Sequence, residues 1–174
     1  SVHYLYEQIE NFLSDYNAKS NIDLIVEKKP LGTAGSISLV PNSYRDNLTV
    51  VNGDVVTEVN FEALNDFHYE RGNNITMTIA KYEHRIPFGV VNFVDNFKLI
   101  SLEEKPITNQ YILSGIYCLN RDVCKLVEKE TIDMPKVINR ARKKGMKIEI
   151  FPMYEYWKDI GNLEDFKIAE KRKS

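Results

Sequence analysis

Between His3 and Tyr16, the apolar positions Tyr4, Leu5, Ile9, Phe12, Leu13 and Tyr16 fall on one helical face, with Glu7 and Glu10 on the other. That stripe predicts a packing helix. Asn21–Val26 reads as a short strand, and the small-residue segment Leu31–Ser36 opens a helix that ends before Pro41. The β-branched run at Leu48–Val51 ends in Asn52-Gly53-Asp54 and is followed by Val55-Val56. It predicts a buried strand that delivers a carboxylate to the edge of a sheet. Phe61, Leu64, Phe67 and His68 place an amphipathic helix over residues 61–71, stopped by Gly72, and put His68 on its packed or half-exposed face.

Residues 74–80 alternate β-formers and predict a strand. Residues 89–94 and 98–102 are strands that the turn Asp95-Asn96 joins into an antiparallel hairpin. Tyr111–Leu119 is a long apolar strand interrupted by Gly115, a point where a ligand can approach the backbone. A short helix over residues 121–130 is followed by a second one, capped by Asp133-Met134-Pro135, that runs to Lys144 and stops at Gly145. Lys147–Phe151 predicts a strand, residues 154–157 an aromatic patch, and Asn162 caps a last helix with Leu163, Phe166, Ile168 and Ala169 on its face. Strands alternating with helices give an α/β chain with a largely parallel or mixed sheet and helices outside it.

The 174 residues suit a single domain over 1–174, and 43% apolar with 28% charged side chains is ordinary globular composition. A net charge of -2 gives no basic footprint, so a nucleic-acid partner is excluded from the expectations. Cys118 and Cys124 are too few and poorly spaced for a metal site or a disulfide framework, which favours a reducing, cytoplasmic setting. No stretch approaches the ~18 apolar residues of a membrane span.

Candidate chemistry concentrates at the ends of these strands, where ligands bind in open α/β sheets. Asp54 offers hard oxygens suited to Mg²⁺ on phosphates, and Gly53 removes a side chain beside it, although Asn-Gly-Asp by itself also reads as a plain turn. Backbone N–H groups opening the helix near Gly32 attract phosphate or a base edge, but no Gly-Lys-Ser/Thr follows, and a tight strand-to-helix turn explains them equally. Glu104-Lys105 in a solvated loop is ordinarily surface charge, and core packing suits Tyr156 and Trp157.

Six segments stand in order: Glu27 with Pro30-Leu31-Gly32-Thr33-Ala34-Gly35, Asn52-Gly53-Asp54, Pro87-Phe88-Gly89-Val90-Val91, Glu104-Lys105-Pro106, Ser114-Gly115-Ile116-Tyr117, and Trp157-Lys158-Asp159-Ile160-Gly161. In identity, order and spacing they resemble the sugar-phosphate nucleotidylyltransferases, the family of mannose-1-phosphate guanylyltransferases and glucose-1-phosphate thymidylyltransferases. Pro-Leu-Gly-Thr-Ala-Gly is closer to the guanylyltransferase branch. The resemblance implies a Rossmann-like mixed, mainly parallel sheet with helices on both faces. It also implies condensation of a nucleoside triphosphate (NTP) with a sugar 1-phosphate, releasing pyrophosphate. By that resemblance Asp54 and Asp159 share Mg²⁺, Glu27 and the backbone around Gly32 to Gly35 hold the base, and Pro30 is among the substrate-binding residues. Gly53 leaves room beside the metal, Gly89 and Glu104 contact the sugar, Lys105 binds its phosphate, and Gly115 makes space for the sugar ring.

The family's Gly-X-Gly-Thr-Arg-Leu loop is absent from these residues, and Leu113 stands where the family often has Asn. The expectation is therefore a fragment, with little turnover alone and, where apolar sheet edge is exposed, association or partial disorder. A non-catalytic nucleotide-sugar-binding or assembly module is the alternative.

Overall fold

The computed structural model describes residues 1–16, 21–161, 165–167 and 169. Its longest strand, β6 (Ile107–Asn120), lies inside a four-stranded sheet of order β1-β6-β3-β7, with β1 at Asn47–Val51, β3 at Ile75–Arg85 and β7 at Ile148–Pro152. β1 and β3 each pair antiparallel with β6, in registers that include Val51↔Ile116 and Ile75↔Leu119, while β7 pairs parallel with β3. Three of the four strands thus share one direction. The expected mixed sheet is present, but β6 inserts between β1 and β3 in the opposite sense, so its two ladders are antiparallel rather than mainly parallel. Alternation along a strand fixes its faces and not its neighbours, so the sequence pattern did not report this insertion.

Period-two alternation in β6 feeds two cores. Tyr117 and Leu119 join Ile75, Val123, Ile132, Met134, Val137 and Ala141 on one face. Ile116 and Cys118 join Val59, Leu64, Ala80 and Met153 on the other. Helix α5 (Met134–Lys143) and the single turn α2 (Gly32–Gly35) cover the first face, and α3 (Phe61–Glu70) covers the second through Leu64. Helices therefore lie on both faces. Both cysteines are buried free thiols, and burial pushes the pKa of each up.

Two small ribbons flank the sheet: β2 (Val55–Thr57) with β8 (Trp157–Asp159), and β4 (Val90–Phe93) with β5 (Leu99–Glu103). The second is the expected hairpin. Trp157 packs against the second core, and its indole N–H donates to the Ser114 carbonyl at 2.7 Å.

Four expectations are corrected. α1 (Tyr6–Asp15) forms but buries none of its residues, because helical periodicity sets an apolar stripe without supplying what covers it. Residues 21–26 make only an isolated parallel bridge, Val2↔Val26, since a run of β-formers needs a partner strand to become one. β1 is a half-buried edge strand and not a fully buried one. The helix after Arg121 closes at Cys124 (α4, Arg121–Cys124) instead of reaching Glu130. Asn162, Leu163 and Ile168 of the expected last helix lie outside the described residues.

His68 sits within α3 at 2% exposure, with Nδ1 2.9 Å from the Thr76 hydroxyl and Nε2 without a partner among the described residues. Burial holds its pKa below the ordinary imidazole value. The unfolded chain therefore accepts a proton that the folded one resists. Stability is full above about pH 6.5 and falls as pH drops through the unfolded value towards the lower folded one. Urea midpoints measured across that window should slope downward on acidification, and His68→Asn should flatten the slope.

Candidate active site

The turn that follows β1 is held from two sides. The Asn52 N–H donates to the Gly115 carbonyl at 2.9 Å, and the Val55 N–H donates to the Asn52 carbonyl at 3.3 Å, so Gly53 and Asp54 project from a closed turn. Asp54 is exposed, and its backbone carbonyl accepts from the Ile160 N–H at 2.8 Å. In the β2–β8 ladder Val55 stands opposite Asp159. Two acidic residues 105 positions apart thus become neighbours across one ribbon, Asp54 at the turn and Asp159 on the opposing strand. Asp159 is also exposed, and its Oδ1 accepts from the Gly161 N–H at 2.9 Å. Among the described residues neither carboxylate takes part in an ion pair. The neighbouring Lys158 is held by Asp165, 2.6 Å away, whose hydrogen bond raises the lysine's pKa.

Asp54 borders an open cleft of about 490 Å³, together with Gly53, Asn52, Gly32, Thr33 and Ser36. The wall opposite the Asp54 turn is built by an exchange of hydrogen bonds. The Thr33 N–H donates to Asp133 Oδ1 at 3.2 Å, and the Thr33 hydroxyl accepts from the Met134 N–H at 2.9 Å, capping α5 from outside the helix. The expected cap residue, Asp133, makes no side-chain cap of its own. Gly32, at φ +77°, has room for no side chain: a Cβ there would lie 2.7 Å from both the Ile132 carbonyl oxygen and Asp133 Oδ1. Close backbone packing accounts for the small residues of this segment. The Glu27 carboxylate accepts from the Leu31 N–H at 3.0 Å and so shapes the approach to Gly32, while the exposed Pro30 accepts from Thr131 through its carbonyl. Thr33→Val, which removes the outside cap, should lower stability by about 1 kcal/mol in urea titration.

A second group gathers at the root of the β4–β5 hairpin. A Cβ on Gly89 would lie 3.2 Å from Glu104 Oε2, and Lys105 is 3.9 Å from Glu104, both side chains well exposed. The Lys105 N–H donates to the Phe88 carbonyl, and its φ of +47° is a left-handed conformation that costs a non-glycine residue roughly 1–3 kcal/mol. Such strain concentrates at ligand-binding positions. Gly89, Glu104 and Lys105 do not border the cleft. Gly115 lies behind the Asp54 turn, and the space of its absent side chain is filled by the Asn52 amide, 2.8 Å from where a Cβ would be. The residues named from sequence thus fall into two clusters, with Gly115 bracing the first.

Asn52, Thr33 and Ser36 line the cleft without having been singled out. Asn52 was legible as the residue before Gly-Asp. Thr33 lay inside the Gly32–Gly35 backbone named for the base, but its side-chain role was not legible, because its partners lie a hundred residues on.

The family described as Nucleotidyl transferase matches residues 1–173. A mannose-1-phosphate guanyltransferase of Gibberella zeae is 30% identical over 95% of this chain and 48% of its own length, and one of Schizosaccharomyces pombe is 30% identical over 92% and 46%. The chain spans about half the length of these curated relatives. Among solved structures, HddC from Yersinia pseudotuberculosis complexed with GMP-PN superposes with a TM-score of 0.73 at 21% identity, covering 100% of this chain and 77% of that one. No helix among the described residues is long and apolar enough to cross a membrane. The ordered segments around Gly32, Asp54, Gly89, Lys105 and Asp159, the mixed sheet that carries them and the match over residues 1–173 make this chain a member of the sugar-phosphate nucleotidylyltransferase family.

Proposed function

We propose that this chain carries the sugar-phosphate and metal part of an enzyme that transfers a nucleoside monophosphate from an NTP to a sugar 1-phosphate. The observation that supports this most is that the β2–β8 ribbon brings Asp159, opposite Val55, beside the Asp54 turn, with Asp54 itself at the border of the cleft. Two exposed carboxylates that take part in no ion pair among the described residues fit Mg²⁺, which takes one or two carboxylates and completes its coordination with water and phosphate oxygens. The described residues contain no group of three or more acidic, histidine or cysteine side chains that would hold a metal alone, which is consistent with a shell completed by substrate. When bound, the ion neutralises charge on the phosphates.

The sugar phosphate oxygen attacks the α-phosphorus in line, the bond from that phosphorus to the bridging oxygen breaks, and pyrophosphate leaves with the electron pair. A sugar phosphate is already anionic at neutral pH, so positioning and charge replace a general base. In this reading Lys105 meets the sugar's phosphate as a point charge, while Gly89 and Glu104 meet its hydroxyls. Gly53, with nothing within 4 Å of where a Cβ would stand, leaves the approach to Asp54 open. Glu27 and Pro30 fix the wall at Gly32 that faces the nucleotide, and Gly115 holds the Asp54 turn through Asn52.

The full-length protein, given Mg²⁺ and a panel of triphosphates and sugar 1-phosphates, should release pyrophosphate. GTP with mannose 1-phosphate is the first pair to try, given the names of the curated relatives. Nucleotide-sugar binding with no pyrophosphate from any pair would overturn catalysis in favour of a binding module. The 174 residues alone should turn over little, because losing the donors of a Gly-X-Gly-Thr-Arg-Leu loop removes several kcal/mol of transition-state stabilisation, on the order of 3–4 per donor.

A further inference from the structure

The start of β1 carries a second pocket, at the far end of the strand from the Asp54 turn. It holds about 300 Å³ and is lined by Asn42, Arg45, Arg121 and Lys125. The antiparallel ladder builds it: Asn47 stands opposite Asn120, so Arg45 before β1 and Arg121 after β6 come to the same end of the sheet. The five residues of β1, at about 3.3 Å each, set roughly 15 Å between this pocket and the Asp54 turn.

The wall of the pocket is cationic. Three of its four lining side chains are positive and none is acidic. Asp46 and Asp122 stand outside the lining and each takes one donor: Arg121 Nε is 2.6 Å from Asp46 Oδ1, and Lys125 Nζ is 2.7 Å from Asp122 Oδ1. Both pairs are well exposed, so they orient the cations at little gain in stability. Among the described residues the terminal nitrogens of Arg121 have no ion-pair partner, and the lysine keeps two of its three protons for a ligand. Arg45 is half-buried and fixed. Its Nε donates to the Val40 carbonyl at 2.6 Å and its Nη2 to the Ser38 carbonyl at 2.8 Å, while Nη1 has no hydrogen-bond partner among the described residues. A guanidinium already held by backbone loses little freedom when it binds.

The wider field has the same sign. Nine basic and four acidic side chains fall between Arg121 and Lys147, in a chain whose net charge is -2, which draws anions to this end of the sheet. A neighbouring cleft that Lys125 shares with Lys143 and Lys144 also contains Glu128 and Glu130, so the uncompensated wall is the one at Arg45 and Arg121. Two planar forks and a point charge match the oxygens of a phosphate, whereas a carboxylate would occupy a single fork. The volume equals about ten waters at roughly 30 Å³ each, room for a phosphate and the small fragment that bears it. No apolar side chain lines the pocket, so an acyl chain gains nothing there.

Arg45 also reaches the other way. The Ser38 and Val40 carbonyls that it holds belong to the turn after Ser36, and the Ser38 hydroxyl donates to the Gly35 carbonyl at 2.7 Å. Gly32, Thr33 and Ser36 line the cleft that Asp54 borders. We propose that the pocket at Arg45 is a second anion site, which takes the phosphate group of a soluble metabolite and stiffens that wall of the cleft through Arg45.

Inorganic phosphate titrated into the ¹⁵N-labelled full chain should move the backbone amides of Arg45, Arg121 and Lys125 together with the Arg45 Nε–H signal, saturating on the order of 1 mM. Arg121→Gln/Lys125→Gln leaves Arg45 in place and alters two exposed side chains, so the melting temperature should hold. The phosphate concentration that saturates the Arg45 Nε–H signal should then rise about 10-fold or more. In the wild-type chain, phosphate should slow amide hydrogen exchange over residues 36–40. No saturating shift, a double variant that binds equally well, or shifts confined to the Lys105 loop would each overturn the site. Exchange over 36–40 that phosphate leaves unchanged would overturn the stiffening. Vesicles of phosphatidic acid present the same group on a lipid surface, and their capture in place of free phosphate would overturn the soluble source. None of these readouts uses turnover, so the inference and the proposed reaction can fail separately.

Discussion

Asp54→Asn should lower kcat/KM for pyrophosphate release by the full-length protein about 100- to 1000-fold while leaving the urea midpoint where it was. Both halves follow from the turn after β1. The side chain of Asp54 is exposed and unpaired among the described residues, and the bond that fixes the turn to residue 160 uses the backbone carbonyl, which asparagine retains. What the substitution removes is one negative, hard oxygen ligand. Asp159→Asn keeps the oxygen that accepts from Gly161 and should lose activity on a similar scale. The double variant should be little worse than either single one, because ligands of one ion act as a unit. A fully active Asp54→Asn protein would dismiss the shared-metal reading.

Gly115→Ala should destabilise the fold by about 3 kcal/mol, combining the roughly 1–2 kcal/mol of a left-handed alanine with the overpacking of a filled site. For a chain of this size that is roughly 6–12 °C in Tm. Two conditions act together at this position, φ at +78° and the Asn52 amide 2.8 Å from the new methyl. Gly145→Ala separates them. Its φ is +71°, but nothing stands within 4 Å, so only the conformational part, roughly 1–2 kcal/mol, should appear in thermal melts. Because Asn52 leads into Asp54, Gly115→Ala should also reduce turnover at temperatures where the protein is still folded. Equal melting temperatures for the two variants would show that Asn52 moves aside freely.

Local signals carried as far as local physics reaches. The Asp95-Asn96 turn fixed the β4–β5 hairpin, the stripe from Phe61 with Gly72 fixed α3, and Pro135 with Gly145 bounded α5, because each is decided by residues a few positions apart. The glycine inside β6 was legible as a close approach, but what approaches it was not. Asn52 lies 63 positions away, and only the ladder between β1 and β6 brings the two together. The same limit hid the pairing of Asp54 with the Asp159 strand from spacing alone, and it entered through resemblance. The apolar run of β1 concealed its place at an edge, and the stripe of α1 concealed its exposure, since hydrophobicity states a preference for cover and not its presence.

The reciprocal bonds between Thr33 and the start of α5 set a schedule for the growing chain. The wall at Gly32 has its partners at residues 130–134, and β1 pairs among the described residues with a strand ending at residue 120. During synthesis the segment around Gly32 therefore emerges well before the residues that hold it, and this wall of the cleft closes only when residues 132–134 arrive. Loop-closing separations of this size slow folding. Pauses or truncations before residue 134 would leave the sequence that makes the cleft present but its wall unsupported.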